Sequence, residues 1–421
     1  VAALAFQGVG AALRIPGTLS IITVTFPPHE RAKAIGLWAG MSGVALALGP
    51  TVGGLMVERL GWQSVFFLNV PIGIVAVVTA SRTVRESVSE VTRELDIPGL
   101  LLGSGALFSA TYALIEANEL GWSDPLIVGM LVASAVLTVS FLLFERRSPK
   151  AMLPLRFFRI PAFSAGATVA FSVSFGMFAT FFFMSLYMQL IRGYSAFQAG
   201  VRFLPMTLLI IVTAPNAGRY ASKHGSRIPM TFGLLLAGTG LLLLSRISIE
   251  TPYLLMAPVF AIMGIGIGAT MAPMTAAVMN AVGPERAGLG SATTNSAREV
   301  GGVFGIALLG TILTTRLNTV LAPALAPLGL APATQASIET TAGHGTLDPS
   351  QLAGLPVEQR GAVVAAFRES WMNGFRLSLL VAGLVLLIAA VAANRFTPGC
   401  RYAREVTAAA RVGDASALAV S

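Results

Sequence analysis

Ionisable side chains inside long apolar stretches are the residues of this sequence with the clearest potential for chemistry. Arg14 lies in the apolar stretch 3–25, and the neighbours Arg298 and Glu299 lie near the start of the stretch 291–314. Placing a charged side chain among apolar residues in a membrane costs free energy, so such a residue is by default expected to have a function. A carboxylate beside an arginine can take up and release a proton. The alternatives are that Arg14 snorkels to water and that Glu299 forms an interfacial salt bridge.

Gln7 and Arg14 share one face of a predicted helix. Their separation of seven residues returns the helix to within about 20° of the same direction. Both side chains are therefore candidates for the wall of a polar pathway.

Aromatic side chains form a stripe along a second apolar stretch. Phe171, Phe175, Phe178 and Phe182 recur at helical spacing, and Gln189 continues the same face. Such a face can stack on amphipathic molecules and attract cations through their charge. The alternative is that these phenylalanines simply face lipid.

Glycines are concentrated in residues 36–54, which also contain the Gly49-Pro50 step. Each interior glycine costs about 1 kcal/mol in a soluble helix, and proline about 3. Lipid keeps such a segment helical, so that a bent helix with a smooth face is predicted. Six residues form that face, on which a second helix can lie backbone to backbone: Gly36, Gly40, Gly43, Ala47, Pro50 and Gly54.

The composition is that of an integral membrane protein. Charged residues make up 11% of the chain and hydrophobic residues 55%, whereas ordinary soluble domains contain about 25% charged residues. We therefore predict an all-α protein in the lipid bilayer. Eleven apolar stretches are long enough to cross it: 3–25, 34–57, 64–80, 97–115, 126–144, 163–190, 203–221, 229–245, 252–280, 291–314 and 374–394.

The basic residues predict the orientation in the membrane. Most of the 28 Lys and Arg fall in alternate connections that share one side with the C-terminus, so this side is predicted to be cytoplasmic. The net charge of +9 is thereby explained, and basic arrays with interleaved aromatics, which would suggest nucleic acid as a partner, do not occur. The three histidines are not clustered, so no metal site is predicted.

An internal repeat predicts the organisation of the helices. The segment Pro28-His-Glu30-Arg31-Ala32 resembles Pro284-Glu285-Arg286-Ala287, and a Pro-x-Thr sequence precedes each copy. Parallel repeats of this kind predict two helical halves. We assign 1–80 to the end of the first half, 81–160 to two linker helices, 161–396 to the second half with a long outer loop at 318–370, and 397–421 to a disordered cytoplasmic tail. On this plan the first three helices are missing.

Several motifs resemble those of the fourteen-helix drug:proton antiporters of the major facilitator superfamily, the EmrB/QacA type. The resemblance extends to about residue 396. It rests on Gln7-Gly8-x-Gly10-Ala11-Ala12, on the antiporter motif Gly49-Pro50-x-x-Gly53-Gly54, on Gly61-Trp62 and Asn69-Val70-Pro71, and on Gly193-Tyr194-Ser195 with Gln198-Ala199-Gly200.

At two positions the sequence departs from the family pattern, and both departures affect what the resemblance implies about function. Leu4 occupies a position where the family usually carries arginine. In the second copy of the family's loop motif, Ser222 replaces the acidic residue. The motif otherwise survives as a segment that includes Gly218, Arg219, Lys223, Gly225 and Arg227.

The resemblance implies a monomeric transporter of the plasma membrane that exports hydrophobic small molecules. It implies no cofactor and no enzymatic activity, with the proton gradient as the driving force. One alternative is an exporter of a lipid or an endogenous metabolite. The others are a non-transporting sensor, suggested by Leu4 and Ser222, and a lipid-modifying enzyme, for which the clustered acids or histidines are not seen.

The topology can be tested by cysteine labelling in a Cys400→Ser background, since Cys400 is the only cysteine. We predict that a cysteine at Ser148 reacts with an impermeant maleimide only after the cells are permeabilised. A cysteine at Ser350, in the predicted outer loop, should react in intact cells. Labelling at position 148 from outside would contradict the topology.

Overall fold

The computed structural model describes residues 51–83, 96–148, 153, 155–282, 287–343 and 345–397, with positions 7, 8, 10, 11, 21, 41, 45 and 48–50 before them. Arg14 and the predicted tail from residue 398 onward lie outside these residues. So do Leu4 and the first copy of the internal repeat.

Helices make up the described part of the chain, and no strand occurs in it. Residues 48–60 are helical and are called the glycine helix below. The helices that follow are α1 (Ser64–Phe67), α2 (Asn69–Thr83), α3 (Ile97–Leu120), α4 (Pro125–Arg147), α5 (Pro161–Leu186), α6 (Ala196–Arg202), α7 (Leu204–His224), α8 (Arg227–Leu244), α9 (Tyr253–Val282), α10 (Ala287–Leu325), α11 (Pro332–Gly343), α12 (Pro349–Ala353) and α13 (Val357–Phe396).

The predicted all-α membrane architecture is confirmed. Eight helical segments of the described chain are long and apolar enough to span a membrane, and α6 with α7 forms a ninth span that is bent by 40°. The first two predicted spans, 3–25 and 34–57, lie largely outside the described residues. The structure is therefore consistent with about eleven spans.

Helices α3 and α4, which the sequence predicts to be linker helices, form a hairpin. The Asp96 carboxylate accepts a hydrogen bond from the backbone N–H of Gly99 at 2.9 Å, and Asp124 caps the start of α4 in the same way. These caps satisfy N–H groups that a helix start leaves without partners. The Ser134 hydroxyl donates to the Ala106 carbonyl at 3.0 Å and joins the two helices. α3 also contacts α10 of the second half.

The second half is built from α5, the bent pair α6–α7, α8, α9, α10 and α13. α7 packs on α9, α5 packs on α10, and α13 packs on both α8 and α10. One continuous hydrophobic core joins these helices, and its largest fully buried side chains include Tyr187, Phe260, Trp371 and Phe375. Three of these rings stack in series, because Phe375 lies 5.4 Å from Tyr187 and 5.1 Å from Trp371.

Backbone approach at glycines brings α5 and α10 together. A Cβ on Gly301 would collide with the Phe171 carbonyl, and a Cβ on Gly305 would collide with the Phe175 carbonyl. Small residues matter at such crossings because lipid gives helices no hydrophobic reason to associate, so close contact must supply the stability.

The connection 318–370, predicted as a long outer loop, is largely helical. With 39 and 40 residues, α10 and α13 are each about 60 Å long, whereas the hydrocarbon layer is about 30 Å thick. Both helices therefore continue beyond the membrane, and α11 and α12 lie between them. The sequence predicts that residues 356–372 turn helical, with the apolar side at Val363 and Phe367 lying at the membrane interface. That expectation is wrong, because both side chains are buried in the protein core with Ile338.

The α5–α10 crossing predicts a stability effect. We expect Gly305→Leu to lower the melting temperature of the detergent-solubilised protein, since overpacking costs about 1–3 kcal/mol and a carbonyl blocks the new side chain. Gly129→Leu is the matched control, because Gly129 is exposed on α4 and a Cβ added there would meet no atom within 4 Å. Equal melting temperatures for the two variants would contradict the assigned crossing.

Candidate functional site

The glycine helix contacts the short helix α6 of the second half, backbone to backbone. A Cβ on Gly54 would collide with the Ala196 carbonyl. From the other side, a Cβ on Gly200 would collide with the Pro50 carbonyl and lie 2.9 Å from the Thr51 Cα atom. Where the structure describes the smooth face predicted from the sequence, that face packs against α6. It thereby joins the two halves.

The other two glycines of the antiporter motif lie away from this contact. A Cβ on Gly49 or on Gly53 would meet no atom within 4 Å. The motif thus has one side, at Pro50 and Gly54, that packs on α6, and a second side with open space.

A hydrogen bond accompanies this crossing. The Phe197 backbone N–H, in the first turn of α6, donates to Oε2 of Glu58 at 3.4 Å. Glu58 lies one helical turn beyond Gly54, so that both residues are on the same face of the glycine helix. The Glu58 side chain is otherwise exposed.

Helix α6 is firmly attached to its own half. Ser195 and Gln198 form a capping box at its start. At its end, the Arg202 guanidinium lies 3.7 Å from the ring centroid of Tyr194 and 5.4 Å from that of Tyr253. The Tyr253 hydroxyl donates to the Arg202 carbonyl at 3.0 Å. These contacts hold α6 at both ends, just before the 40° bend into α7.

The connection between α8 and α9 is bound by side chains from two other helical regions. Its carbonyl groups accept hydrogen bonds from Tyr187, Arg192 and Arg376. The pairs are Tyr187 with Ser248 at 3.1 Å, Arg192 with Ile249 and with Thr251 at 3.1 Å, and Arg376 with Ile247 at 2.8 Å. These hydrogen bonds hold the connection between α8 and α9 to the end of α5 and to α13.

Arg192 also contacts Tyr194, one of the two tyrosines that hold the end of α6. Its guanidinium donates to the Tyr194 hydroxyl at 3.2 Å. This hydrogen bond lowers the pKa of Tyr194 below its usual value, because the positive charge stabilises the phenolate. Arg192 and Arg202 therefore share Tyr194 as a partner, one at its hydroxyl and one at its ring.

The predicted phenylalanine stripe lies in different environments along α5. Phe175 is buried, Phe171 and Phe178 are half-buried, and Phe182 is 45% exposed. Phe171 stacks on Phe175, with ring centroids 6.1 Å apart. The stripe thus begins inside the α5–α10 contact and ends at an accessible ring.

Gln189 lies in a turn of π-helix, Tyr187–Ile191, that follows α5. Its side chain is exposed, and Nε2 donates to the Ser185 hydroxyl at 2.8 Å. Turns of this kind are frequent at functional sites. Gln7, near residue 1, is also helical and exposed.

Arg298 and Glu299 diverge on α10 because consecutive helical residues point about 100° apart. Arg298 is half-buried and Glu299 is exposed. Within the part of the chain that the structure describes, no hydrogen bond or salt bridge satisfies the Arg298 guanidinium. Glu299 is the only acidic residue in helices α5 to α10. The half-buried cation and the exposed acid remain candidates for the substrate or proton pathway.

The loop motif lies where α7 ends and α8 begins. Gly225 ends α7 with a φ of 88°, a conformation that favours glycine. Arg227 donates from Nε to Oδ1 of Asn394 at 3.0 Å and so ties α8 to the end of α13. Arg219 and Lys223 are exposed in the last turns of α7, and Gly218 packs near Ala272. The motif is therefore a structural junction with two accessible cations.

Two residues of the inter-half contact were not predicted as functional: Glu58 and Gly200. Gly200 had served only to support the family resemblance. A small residue near a helix start was the available signal for Gly200. Its partner Pro50 lies 150 positions away in the sequence. Helical periodicity relates only residues of the same helix, so it could not predict this pair.

Comparisons with known proteins identify the family. The profile described as Major Facilitator Superfamily matches residues 1–306. The tetracenomycin C resistance and export protein of Streptomyces glaucescens is 33% identical over 391 residues, which are 92% of this chain and 72% of that protein. The multidrug resistance protein Stp of Mycobacterium tuberculosis is 30% identical over 397 residues, covering 93% and 74%.

A third relative is the methylenomycin A resistance protein of Streptomyces coelicolor, which is 36% identical over 314 residues. The match covers 74% of this chain and 66% of that protein. The chain thus spans about two thirds to three quarters of the length of these relatives. Together with the profile match and the helical membrane architecture, they show that this chain belongs to the major facilitator superfamily and is a transporter rather than an enzyme.

Proposed function

We propose that the protein exports hydrophobic or amphipathic small molecules by alternating access, driven by proton entry. The observation that carries this proposal is the glycine contact between the glycine helix and α6. It joins the two halves through close backbone approach at Gly54 and Gly200. Such an interface can close tightly in one state and separate in another, as rocking of two halves requires.

The named functions of the relatives support the export of drugs. Their names include resistance to, or export of, tetracenomycin C and methylenomycin A, and one is named for multidrug resistance. A second candidate follows from the names that specify a single antibiotic. In that case the cargo is one endogenous metabolite of the producing cell. A screen of export substrates separates the two candidates, because a multidrug exporter transports several unrelated compounds.

The substrate pathway is proposed to pass along α5 and α10. Phe182 offers an accessible ring, and the half-buried Phe171 and Phe178 could stack on apolar cargo. Arg298 offers a half-buried guanidinium beside Glu299. We place the transporter in the plasma membrane as a monomeric unit with its C-terminus in the cytoplasm, as the distribution of basic residues predicts.

Proton coupling is proposed to use Glu299. Glu299 is the only acidic residue within helices α5 to α10 themselves, and its side chain is exposed. A carboxylate in this setting can bind a proton in one state and release it in the other.

We predict that Glu299→Gln abolishes proton-driven export of a fluorescent dye while dye binding persists. The amide keeps the shape of the side chain but cannot exchange a proton. Glu358→Gln is the control, since Glu358 is exposed in the first turn of α13, in the part predicted to lie outside the membrane. Export should be measured in cells that express the complete gene, with and without a proton uncoupler. Uncoupler-sensitive export by Glu299→Gln at the normal rate would contradict the assignment.

We also predict that Gly54→Leu strongly reduces export at normal expression. The new side chain meets the Ala196 carbonyl, and overpacking costs about 1–3 kcal/mol. Because transporter states differ by only a few kcal/mol, the variant should favour the state in which this contact is open. Gly53→Leu, at the adjacent position with open space, should retain export. Similar export rates for the two variants would show that the contact is only a spacer.

A further inference from the structure

We propose that the short helix Leu155–Arg159, called the basic turn below, binds the head groups of anionic phospholipids together with Arg146 and Arg147 at the end of α4. This surface lies on the side of the membrane that the sequence predicts to be cytoplasmic. The inference does not rest on the proposed export, because lipid binding requires neither cargo nor a proton gradient.

The basic turn lies between two membrane-spanning helices. Since α4 ends at Arg147 and α5 begins at Pro161, residues 148–160 connect the two spans. The Leu153 backbone N–H donates to Oε2 of Glu145 at 3.2 Å and holds this connection against the last turn of α4. The basic turn itself contacts both α4 and α5. It therefore lies near the level at which both helices leave the bilayer.

Each of the three edges of the basic turn carries a different kind of side chain. The turn is a 3₁₀ helix, in which residues three apart share an edge. Arg156 and Arg159 form one edge, and both are exposed. Leu155 and Phe158 form an apolar edge, on which the Phe158 ring is 40% exposed. Phe157, on the third edge, is buried. Segments that lie at the surface of a bilayer combine a charged and an apolar side in this way.

Phe157 fixes the orientation of the basic turn on the protein. It belongs to a small apolar cluster with Phe163 of α5 and Val278 and Val282 of α9. The Ser164 hydroxyl also donates to the carbonyl of the residue that follows Phe157. Because these contacts hold one edge of the turn against α5 and α9, the arginine edge and the apolar edge remain on the outside.

The exposed surface at this connection is positively charged. Within the part of the chain that the structure describes, no hydrogen bond or salt bridge occupies its four exposed guanidinium groups, those of Arg146, Arg147, Arg156 and Arg159. Glu145 is the only acidic residue of the segment 145–162, and its side chain is buried.

This charge and the neighbouring apolar edge together identify the partner. The planar guanidinium group of arginine matches the geometry of phosphate and binds it through two hydrogen bonds. The cytoplasmic leaflet of a membrane carries anionic lipids, which attract basic segments beside a spanning helix. A lipid also supplies acyl chains to Leu155 and Phe158, whereas a soluble phosphate ester would leave these side chains in water. An anionic phospholipid is therefore the ligand that satisfies both edges.

Phe158 offers a probe within the proposed site, because p-benzoylphenylalanine keeps its aromatic ring and crosslinks to neighbouring C–H bonds on illumination. The complete protein with Phe158→p-benzoylphenylalanine is reconstituted into vesicles of equal parts phosphatidylglycerol and phosphatidylcholine, with one of the two lipids radiolabelled. We expect phosphatidylglycerol to crosslink about fivefold more than phosphatidylcholine, since each arginine near an anionic surface contributes about this factor in affinity.

Variants of the arginine edge test the origin of this preference. Arg156→Gln combined with Arg159→Gln should lower the ratio of the two crosslinked lipids about fivefold. Arg156→Lys combined with Arg159→Lys keeps the charge and should keep most of the preference, which separates loss of charge from misfolding. Arg395→Gln is the matched control and should leave the ratio unchanged, because Arg395 is an exposed arginine at the end of α13 on the same predicted side.

Five outcomes would overturn the proposal. Three concern the ratio: the two lipids crosslink equally, the glutamine pair leaves the ratio unchanged, or Arg395→Gln lowers it as much as the pair does. Crosslinking of Phe158→p-benzoylphenylalanine to a second copy of the protein instead of lipid would identify a protein interface. Loss of the preference on addition of glycerol phosphate would identify a site for soluble phosphate esters.

Discussion

Close backbone approach between helices is the constraint on which the rest of this structure depends. Lipid chains are as apolar as the side chains that face them, so burial alone gives membrane helices little reason to associate. Glycine removes the side chain that would hold two backbones apart. In the second half, Gly301 and Gly305 allow α10 to approach α5, and Gly374 allows α13 to approach α10 at Leu313. The same device connects the two halves at Gly54 and Gly200.

The surroundings of these crossings differ, which supports the proposal that the contact between the halves opens during transport. Inside the second half, the glycine contacts lie beside large buried rings such as Tyr187, Trp371 and Phe375, and separation would expose them. Arginine and tyrosine side chains brace the connection between α8 and α9 at one end of this half. The described contact between the halves includes backbone approach at Gly54 and Gly200 and a hydrogen bond from Phe197 to Glu58. This difference supports the proposed combination of a rigid half and a separable interface.

The sequence was sufficient to predict the membrane-spanning helices of the described chain and the side of the glycine helix that packs on α6, because both depend on local composition and on helical periodicity. It did not predict the helices within 318–370. It could not predict Gly200 as the partner of Pro50, since nothing local links such distant positions. The burial of Val363 and Phe367 was also missed. An amphipathic helix has the same pattern whether its apolar side meets lipid or protein, and only the extension of α10 beyond the membrane decides between them.

Distances between the halves in the working transporter test the central claim most directly. Spin labels at Leu60 and Leu254 would occupy exposed positions on the glycine helix and on α9, near the two sides of the contact. Pulsed electron paramagnetic resonance in lipid should give two distance populations, and Gly200→Leu should shift them toward the longer distance while Gly53→Leu leaves them unchanged. A single distance that is the same in all three proteins would contradict an interface that opens during transport.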